Sequence, residues 1–469
     1  MISFGTSGFR ATVGEDFTKE SVQKIAQALS KLIKKSKVNK PIVIGYDRRF
    51  MSDFYAKWVA EVFAGNKIVS KLYNRPVPTP TVMAAVKEEG LDYGITITAS
   101  HNPYYHNGLK ITVAGGKDAD IELTSQITKM ANKNIKIKSI PYNLAVTNGL
   151  IVEYDSMKDY IKNICKNLSK NIKDNNIKLL FNAMHGVTVE PIKLLAKKLN
   201  LKKLDIMKEN IDVFFENTVT SPDESNVEDL KKEVVKGKYT LGIACDGDGD
   251  RIALVDEQGT YHDCNTIIAI LYYYLVKYRG MEGDIVKTLP TSTLLDKLAV
   301  ALGYKCHEVS VGFKWVSAKM KEVDALMGGE CTGGLTMRGY TPTKDSMFAA
   351  ALILDAIATI KKPLSAIVEE VKTFAEYIST YWEGTFKLNS KKKVAKALSK
   401  VVPSFPYKPV QIIKTDGTKY VFEDGSFVIM RFSGTEDLLR YTIEFQTEIE
   451  CERVIKAINT FISTYDKTK

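Results

Sequence analysis

The chain has 469 residues, 45% of them apolar and 26% charged. That is too long for one ordinary domain and describes a globular protein with substantial cores. Lysine and arginine outnumber aspartate and glutamate by 66 to 55, a formal net charge of +11 that suits anionic partners. Those partners are nucleic acid or phosphorylated small molecules, and solvated lysine-rich faces explain the charge as well; no RNP motif, zinc finger or arginine-rich arm accompanies it, and nucleic acid is not expected as a partner.

The longest apolar stretches, around 267–276 and 348–360, are shorter than the ~18–20 residues that span a bilayer, and Asp355 interrupts the second. Neither a basic n-region nor an apolar h-region appears in "MISFGTSGFR", and no membrane partner is expected. Six scattered cysteines form no C-x-x-C pair, which argues against a zinc site or a disulfide framework. A reducing, cytoplasmic location is the expectation.

In chain order, "SVQKIAQALSKLI" (21–33) carries Val22, Ile25, Ala26, Leu29, Leu32 and Ile33 on one helical stripe. "PIVIGYDRR" (41–49) is a strand ending in charge, and "YGITITASHNP" (93–103) is the next strand and loop. "IKLLFNAMHG" precedes the helix-like "VEPIKLLAKKL" (189–199), and "YTLGIACDGDGDR" (239–251) closes that unit. The scheme repeats in "DIVKTLPTSTLLDKLAVAL" (284–302) and "HEVSVGFKWVSAKM" (307–320). Such alternation implies parallel α/β domains, whose ligands sit beyond the carboxyl ends of strands. After about Pro363 the texture changes. "AEYISTYWEGTFKL" and "SFVIMRFSGTEDLLRYTIEF" alternate like antiparallel strands, and "CERVIKAINTFIS" reads as a final helix. Four domains are expected, at 1–140, 141–252, 253–368 and 369–469.

Unusual polar loops stand at the strand ends. In "DGDGDR", Asp246, Asp248 and Asp250 alternate with glycines, so three carboxylates converge and repel unless a cation joins them. All-oxygen ligation points to a hard ion such as Mg²⁺ or Ca²⁺. An EF-hand would place its last ligand at Glu257, but its required glycine is here Arg251 and an apolar strand follows. Mg²⁺ with an open coordination position is the better fit, and Arg251 beside it would neutralise phosphate charge. "TASHNP" (98–103) offers Ser100 at a strand end. A turn explains the residue types equally well, and the G-x-S-x-G context of a hydrolase is missing. "RFSGTEDLLR" (431–440) gathers Arg431, Ser433, Gly434 and Thr435, a grouping suited to phosphate and also to a hairpin turn. "GGECTGG" (328–334) sets Glu330 and Thr332 between glycines, a weak signal for sugar hydroxyls.

Taken together, "GTSGFR" (5–10), "TASHNP", "DGDGDR", "VGFKW" (311–315), "GGECTGG" and "RFSGTEDLLR" resemble, in the same order, the motifs of the α-D-phosphohexomutases, the phosphoglucomutase and phosphomannomutase superfamily. The resemblance runs over nearly the whole chain. It implies four domains around a central cleft: three related α/β units and a C-terminal α+β domain. It further implies that Ser100 is a phosphoserine exchanging its phosphoryl group with a hexose phosphate through a bisphosphorylated intermediate, glucose 1,6-bisphosphate for a glucose substrate. Asp246, Asp248 and Asp250 match the Mg²⁺ ligands, with Ser100 completing the set. Arg10, Arg251 and Lys110 would supply positive charge, and Lys110 and His101 match the candidates for proton transfer. Arg431, Ser433, Gly434 and Thr435 would hold the phosphate that is not transferred. Glu330 and Thr332 would contact the sugar, with Gly312, Lys314 and Lys344 sensing its orientation.

Several departures bear on the substrate. Thr332 stands where serine is usual, Gly334 and Phe313 stand where dual-specificity members often carry histidine, and the glutamine and histidine of the glucosamine branch are missing. These features lean toward interconversion of glucose 1-phosphate and glucose 6-phosphate, with a phosphomannomutase or dual-specificity enzyme as the alternative. Asp437 replaces the frequent proline beside the phosphate loop, where it would either weaken phosphate binding or point outward. A monomer or homodimer is expected.

Overall fold

The structure is a computed structural model that describes residues 1–5, 8–36, 40–173, 175–433 and 437–467. Three of its four sheets repeat one plan. In the first unit, Ile42–Tyr46, Ser70–Tyr73 and Tyr93–Ile97 are parallel, and His106–Val113 returns antiparallel against Tyr93–Ile97. In the second, Lys178–Asn182, Lys203–Met207 and Leu241–Cys245 are parallel, followed by antiparallel Ile252–Asp256. In the third, Ile285–Thr288, Cys306–Val309 and Met327–Glu330 are parallel, followed by antiparallel Gly334–Met337. Numbered within each unit, the strands lie in the order 2-1-3-4 every time. Helices Ser52–Gly65 and Thr79–Glu88, Val189–Leu199 and Glu228–Lys236, and Leu294–Ala301 and Phe313–Val323 make the crossovers. Parallel neighbours need such connections, whereas an antiparallel return needs only a turn.

The parallel α/β units expected from the sequence are present, and each of their sheets is mixed because it includes that antiparallel return strand. Two also run past the expected boundaries. Ile151–Tyr154 pairs in parallel with Ser70–Tyr73, so the first sheet extends beyond residue 140. Ile252–Asp256 and Tyr261–His262 belong to the second sheet, which extends beyond residue 252. Both strands satisfy backbone groups that an open edge would otherwise leave exposed. The fourth sheet is antiparallel throughout, in the order Thr380–Lys387, Leu438–Phe445, Phe427–Phe432, Thr418–Val421, Gln411–Ile413. Helices Lys391–Leu398 and Glu448–Tyr465 complete this α+β unit.

The apolar stretches noted in the sequence are core helices. Ser346–Ile360 buries all but one of its fifteen residues. Asp355 within it accepts hydrogen bonds from the Ser169 amide at 2.9 Å, Tyr274 at 2.8 Å and Arg279 at 3.2 Å, which is how a buried carboxylate is tolerated there. No helix among the described residues is long and apolar enough to cross a membrane.

Candidate active site

In all three α/β units the chemically unusual loop is the turn from the third strand to the fourth. Residues 98–105 follow Tyr93–Ile97, 246–251 follow Leu241–Cys245, and 331–333 follow Met327–Glu330. Equivalent topology thus brings three loops to equivalent strand ends, and the "DGDGDR" turn lies at their meeting point. The Thr79 amide donates to the Asp248 carbonyl at 2.9 Å, Val187 to Gly247 at 3.2 Å and Ser346 to Gly249 at 3.2 Å. From the sugar-loop side, the Ile252 amide donates to the Gly333 carbonyl at 3.0 Å. The approach is close enough to require glycine: a Cβ on Gly247 would stand 2.8 Å from Thr220 Oγ1 and 2.9 Å from the Ser100 carbonyl.

Ser100 is 1% exposed and occupies the left-handed region at φ 53°, a conformation costing a non-glycine residue roughly 1–2 kcal/mol. Its Oγ donates to Asp246 Oδ2 at 2.8 Å, and its amide donates to Thr98 Oγ1 at 2.9 Å. Asp246, Asp248 and Asp250 are buried, each offering an oxygen within 4.8 Å of the others. Lys110 Nζ bridges two of them, donating to Asp248 Oδ2 at 2.7 Å and Asp250 Oδ2 at 2.9 Å, while Thr79 Oγ1 donates to Asp248 Oδ2 at 2.7 Å.

Charge is divided unequally among the three acids. Burial and the two neighbouring carboxylates push Asp246 well above the usual range. Burial opposes ionisation of Asp248 and Asp250 too, but Lys110 outweighs it, with Lys344 and Arg251 also acting on Asp250, and both are held low. Burial works against the Lys110 charge, yet Asp248 and Asp250 raise its pKa and keep it an ammonium. His101 is depressed well below its ordinary value, first by burial and then by Arg251 and Arg10, so it stays neutral. Its Nδ1 is 3.4 Å from Ser100 Oγ and its Nε2 is 3.5 Å from Arg251 Nη2. Arg10 donates to Asn102 Oδ1 at 2.7 Å.

The carboxylate trio fits a divalent cation. Asp248 Oδ1 and Asp250 Oδ1 are buried with no hydrogen-bond partner. Such orphaned oxygens carry a desolvation cost that a bound ion removes. Oxygen-only donors select a hard ion of the Mg²⁺ kind.

Glu330 and Lys344 pair at 3.2 Å, and Lys344 also lies 3.7 Å from Asp250 Oδ1, linking the third unit to the carboxylates. Thr332 is exposed on its loop. Lys314, Lys110 and Arg431 line one cleft of about 720 Å³, and Gly312 adjoins it beside lining residue Val311. Arg431 does not bond the carboxylates; its Nε donates to Asp416 Oδ1 at 2.8 Å. Ser433 is buried, with its amide donating to the Leu438 carbonyl at 3.0 Å. Gly434 and Thr435 lie outside the described residues. Asp437 is exposed.

Four residues escaped the sequence reading: Arg49, Thr79, Asn102 and Thr220. Arg49 and Thr220 both bond the Ser100 carbonyl, at 2.6 and 3.1 Å. The available signal was the doubled arginine ending "GYDRR", since a charge at a buried strand end requires a partner.

A buried hydroxyl thus faces a carboxylate trio at the junction of three like-folded α/β units, an arrangement that suits phosphoryl transfer. Family models described as phosphoglucomutase/phosphomannomutase α/β/α domains I, II and III match residues 1–138, 158–259 and 263–374, and the C-terminal domain matches 385–460. The chain belongs to this family, the α-D-phosphohexomutases, whose class of activity is intramolecular phosphoryl transfer on hexose phosphates. A Pyrococcus horikoshii protein named "Probable phosphoglucosamine mutase" is 28% identical, over 99% of this chain and 98% of its own. A Thermococcus kodakarensis protein named phosphoglucomutase/phosphomannomutase is 27% identical over 95% of each. The crystal structure of a Burkholderia thailandensis phosphoglucomutase/phosphomannomutase family protein superposes with a TM-score of 0.83 at 21% identity, covering 99% of this chain and 98% of that one.

Proposed function

We propose that the protein interconverts glucose 1-phosphate and glucose 6-phosphate, with Ser100 as the phosphoryl carrier and glucose 1,6-bisphosphate as intermediate and activator. The observation that carries the reading is the Ser100 hydroxyl, buried and 2.8 Å from an acid of the carboxylate trio. Asp246, Asp248 and Asp250 would hold Mg²⁺ together with Ser100. The ion would supply charge neutralisation at the transferring phosphoryl group.

Around it, the chain's own side chains divide the work. Arg10 and Arg251 neutralise the reacting phosphate. His101, whose Nδ1 is 3.4 Å from Ser100 Oγ, and Lys110 are the candidates for proton transfer at the sugar hydroxyl. Glu330 and Thr332 contact the sugar, and Gly312, Lys314 and Lys344 sense its orientation; of these, Lys314 lines the cleft. Arg431, Ser433, Gly434 and Thr435 bind the phosphate that is not transferred. The four units, the first taking in Ile151–Tyr154 and the second Tyr261–His262, would surround that cleft.

A second reading is glucosamine phosphate as substrate, favoured by relatives carrying that name at 28 and 25% identity. Against it stand the missing glutamine and histidine of the glucosamine branch in the loop 328–334, while Gly334 and Phe313 weigh against the dual-specificity alternative. One panel separates the readings: kcat/KM for the 1-phosphates of glucose, mannose and glucosamine, with Ser100→Ala alongside. Glucose is expected to lead, and the alanine variant to carry no phosphate and show no turnover. Full mutase activity in Ser100→Ala would remove the carrier role, and a lead for glucosamine 1-phosphate would replace the substrate.

A further inference from the structure

Ser100 sits in a loop whose backbone carbonyls turn inward, and one side chain collects them. The Arg49 guanidinium donates from Nη2 to the Ser100 and Asn102 carbonyls, both at 2.6 Å. From Nη1 it donates to Pro103 at 2.9 Å and His106 at 3.1 Å. The side chain is 1% exposed, and the Asp47 carboxylate lies 3.3 Å from its Nε. Asp47 is itself fixed, accepting from Ser52 Oγ at 2.7 Å and from the Arg49 amide at 2.9 Å. The Phe215 ring, from the second unit, packs over the guanidinium at 5.0 Å. Phe215, Glu216 and Asn217 are three consecutive non-glycine residues in the left-handed region, at φ 50°, 53° and 57°. Strained backbone of this kind persists only where its surroundings over-determine it.

Resting on the reading of Ser100 as phosphoryl carrier, we infer that Arg49 is the positioning residue of that serine. It touches neither the hydroxyl nor the carboxylates. It acts by gathering the carbonyls of residues 100–106 around one planar fork, which holds Ser100 left-handed with Oγ directed at Asp246. Three carbonyls of one loop and a fourth at the start of the next strand demand several donors in a fixed plane. Arginine offers five, while a lysine ammonium offers three from a single point. A lysine at this position would keep the charge and lose the geometry. Phosphoryl transfer depends on in-line placement, and a displacement of about 1 Å costs roughly 100-fold in rate.

The test uses the full-length, Mg²⁺-loaded protein, with Arg49→Lys and Arg49→Ala beside the parent. Melting temperature, kcat and KM for glucose 1-phosphate are measured with glucose 1,6-bisphosphate present. Phosphate carried on Ser100 is measured by intact mass. Arg49→Lys is expected to stay folded and to lose about 100-fold in kcat, with KM within about threefold. Arg49→Ala is expected to regain at least about tenfold when methylguanidinium is added, and nothing with methylammonium. A merely structural role would not make rescue depend on the planar cation. The inference is overturned if Arg49→Lys keeps a parental kcat, or if the two cations act alike on Arg49→Ala. A parent that neither carries phosphate on Ser100 nor isomerises a hexose phosphate defeats the carrier reading, and this inference with it. An active parent with indifferent variants defeats the Arg49 role alone.

Discussion

Replacing Lys110 by methionine tests how the carboxylate cluster is kept together. In the structure one ammonium holds two buried acids, at 2.7 Å from Asp248 and 2.9 Å from Asp250. Removing one partner from a buried ionic cluster costs about 3–5 kcal/mol, because the remaining charges stay desolvated and uncompensated. Lys110→Met should therefore lose about that much stability in a chelator. A divalent cation would restore most of it, since binding to the native state alone stabilises by mass action. The same substitution should tighten Mg²⁺ binding. Two unit charges ~4 Å apart interact by ~4 kcal/mol at the dielectric of a protein surface, and relief of even a third of that is about tenfold in affinity. Urea unfolding with and without Mg²⁺, and calorimetric titration of Mg²⁺ into both proteins, give the two numbers. Equal stability in the chelator together with equal Mg²⁺ affinity would refute the claim that Lys110 and the cation share these carboxylates.

Other expectations follow from single contacts. Gly247→Ala would press its Cβ against Thr220 and the Ser100 carbonyl. It should cost about 1–3 kcal/mol by overpacking and about 100-fold or more in kcat, measured by melting and by a coupled mutase assay. Asp416→Ala frees both Arg431 Nε and the Val311 amide, which donates to the other Asp416 oxygen at 3.0 Å. KM for the hexose phosphate should rise about tenfold, more than kcat falls, in steady-state kinetics.

Asp256 gives a pH signature away from the site. Burial pushes its carboxyl up, but donors from His262, Thr260 and Gln258 outweigh that and the net shift is downward. A folded pKa below the unfolded one means stability fully present above the unfolded value of about 3.9 and lost as pH falls through the folded one. Asp256→Asn should accordingly cost about 1.5–3 kcal/mol at pH 7 and progressively less below about pH 4, read from urea unfolding across pH.

The sequence displayed what repeats and what is short-range. Alternating strand and helix periods located Val189–Leu199 to the residue, and glycines between aspartates marked the carboxylate turn. Pairing partners were less visible. Nothing in "LIVEY" states that Ile151–Tyr154 will add to the edge at Ser70–Tyr73, because a strand's neighbour is set by tertiary closure and not by its own period. Lys110 was marked by the family resemblance, but its grip on Asp248, 138 residues away, could not be read. Arg49 was hidden for a related reason. The doubled arginine signals a need for partners, but those partners are backbone carbonyls, which every residue carries, so no side-chain pattern says where they lie.

Loop length explains why the first unit needs such a residue and the other two do not. The antiparallel fourth strand closes each third strand with a turn, and the ladder anchors that turn at both ends. Three residues separate the strands in the third unit and six in the second, and the six-residue turn folds on itself, with the Asp250 and Arg251 amides donating to Asp246 Oδ1 at 2.9 and 3.0 Å. The first unit has eight residues between Ile97 and His106, too many for the two strand ends to fix. That loop also carries the hydroxyl whose direction matters most. A longer loop has more conformations to exclude, and local hydrogen bonds such as Ser100 to Thr98 exclude only some. A buried fork that bonds Ser100, Asn102 and Pro103 and ties them to His106 at the start of the next strand removes the remainder, and the shorter turns have no comparable freedom to remove.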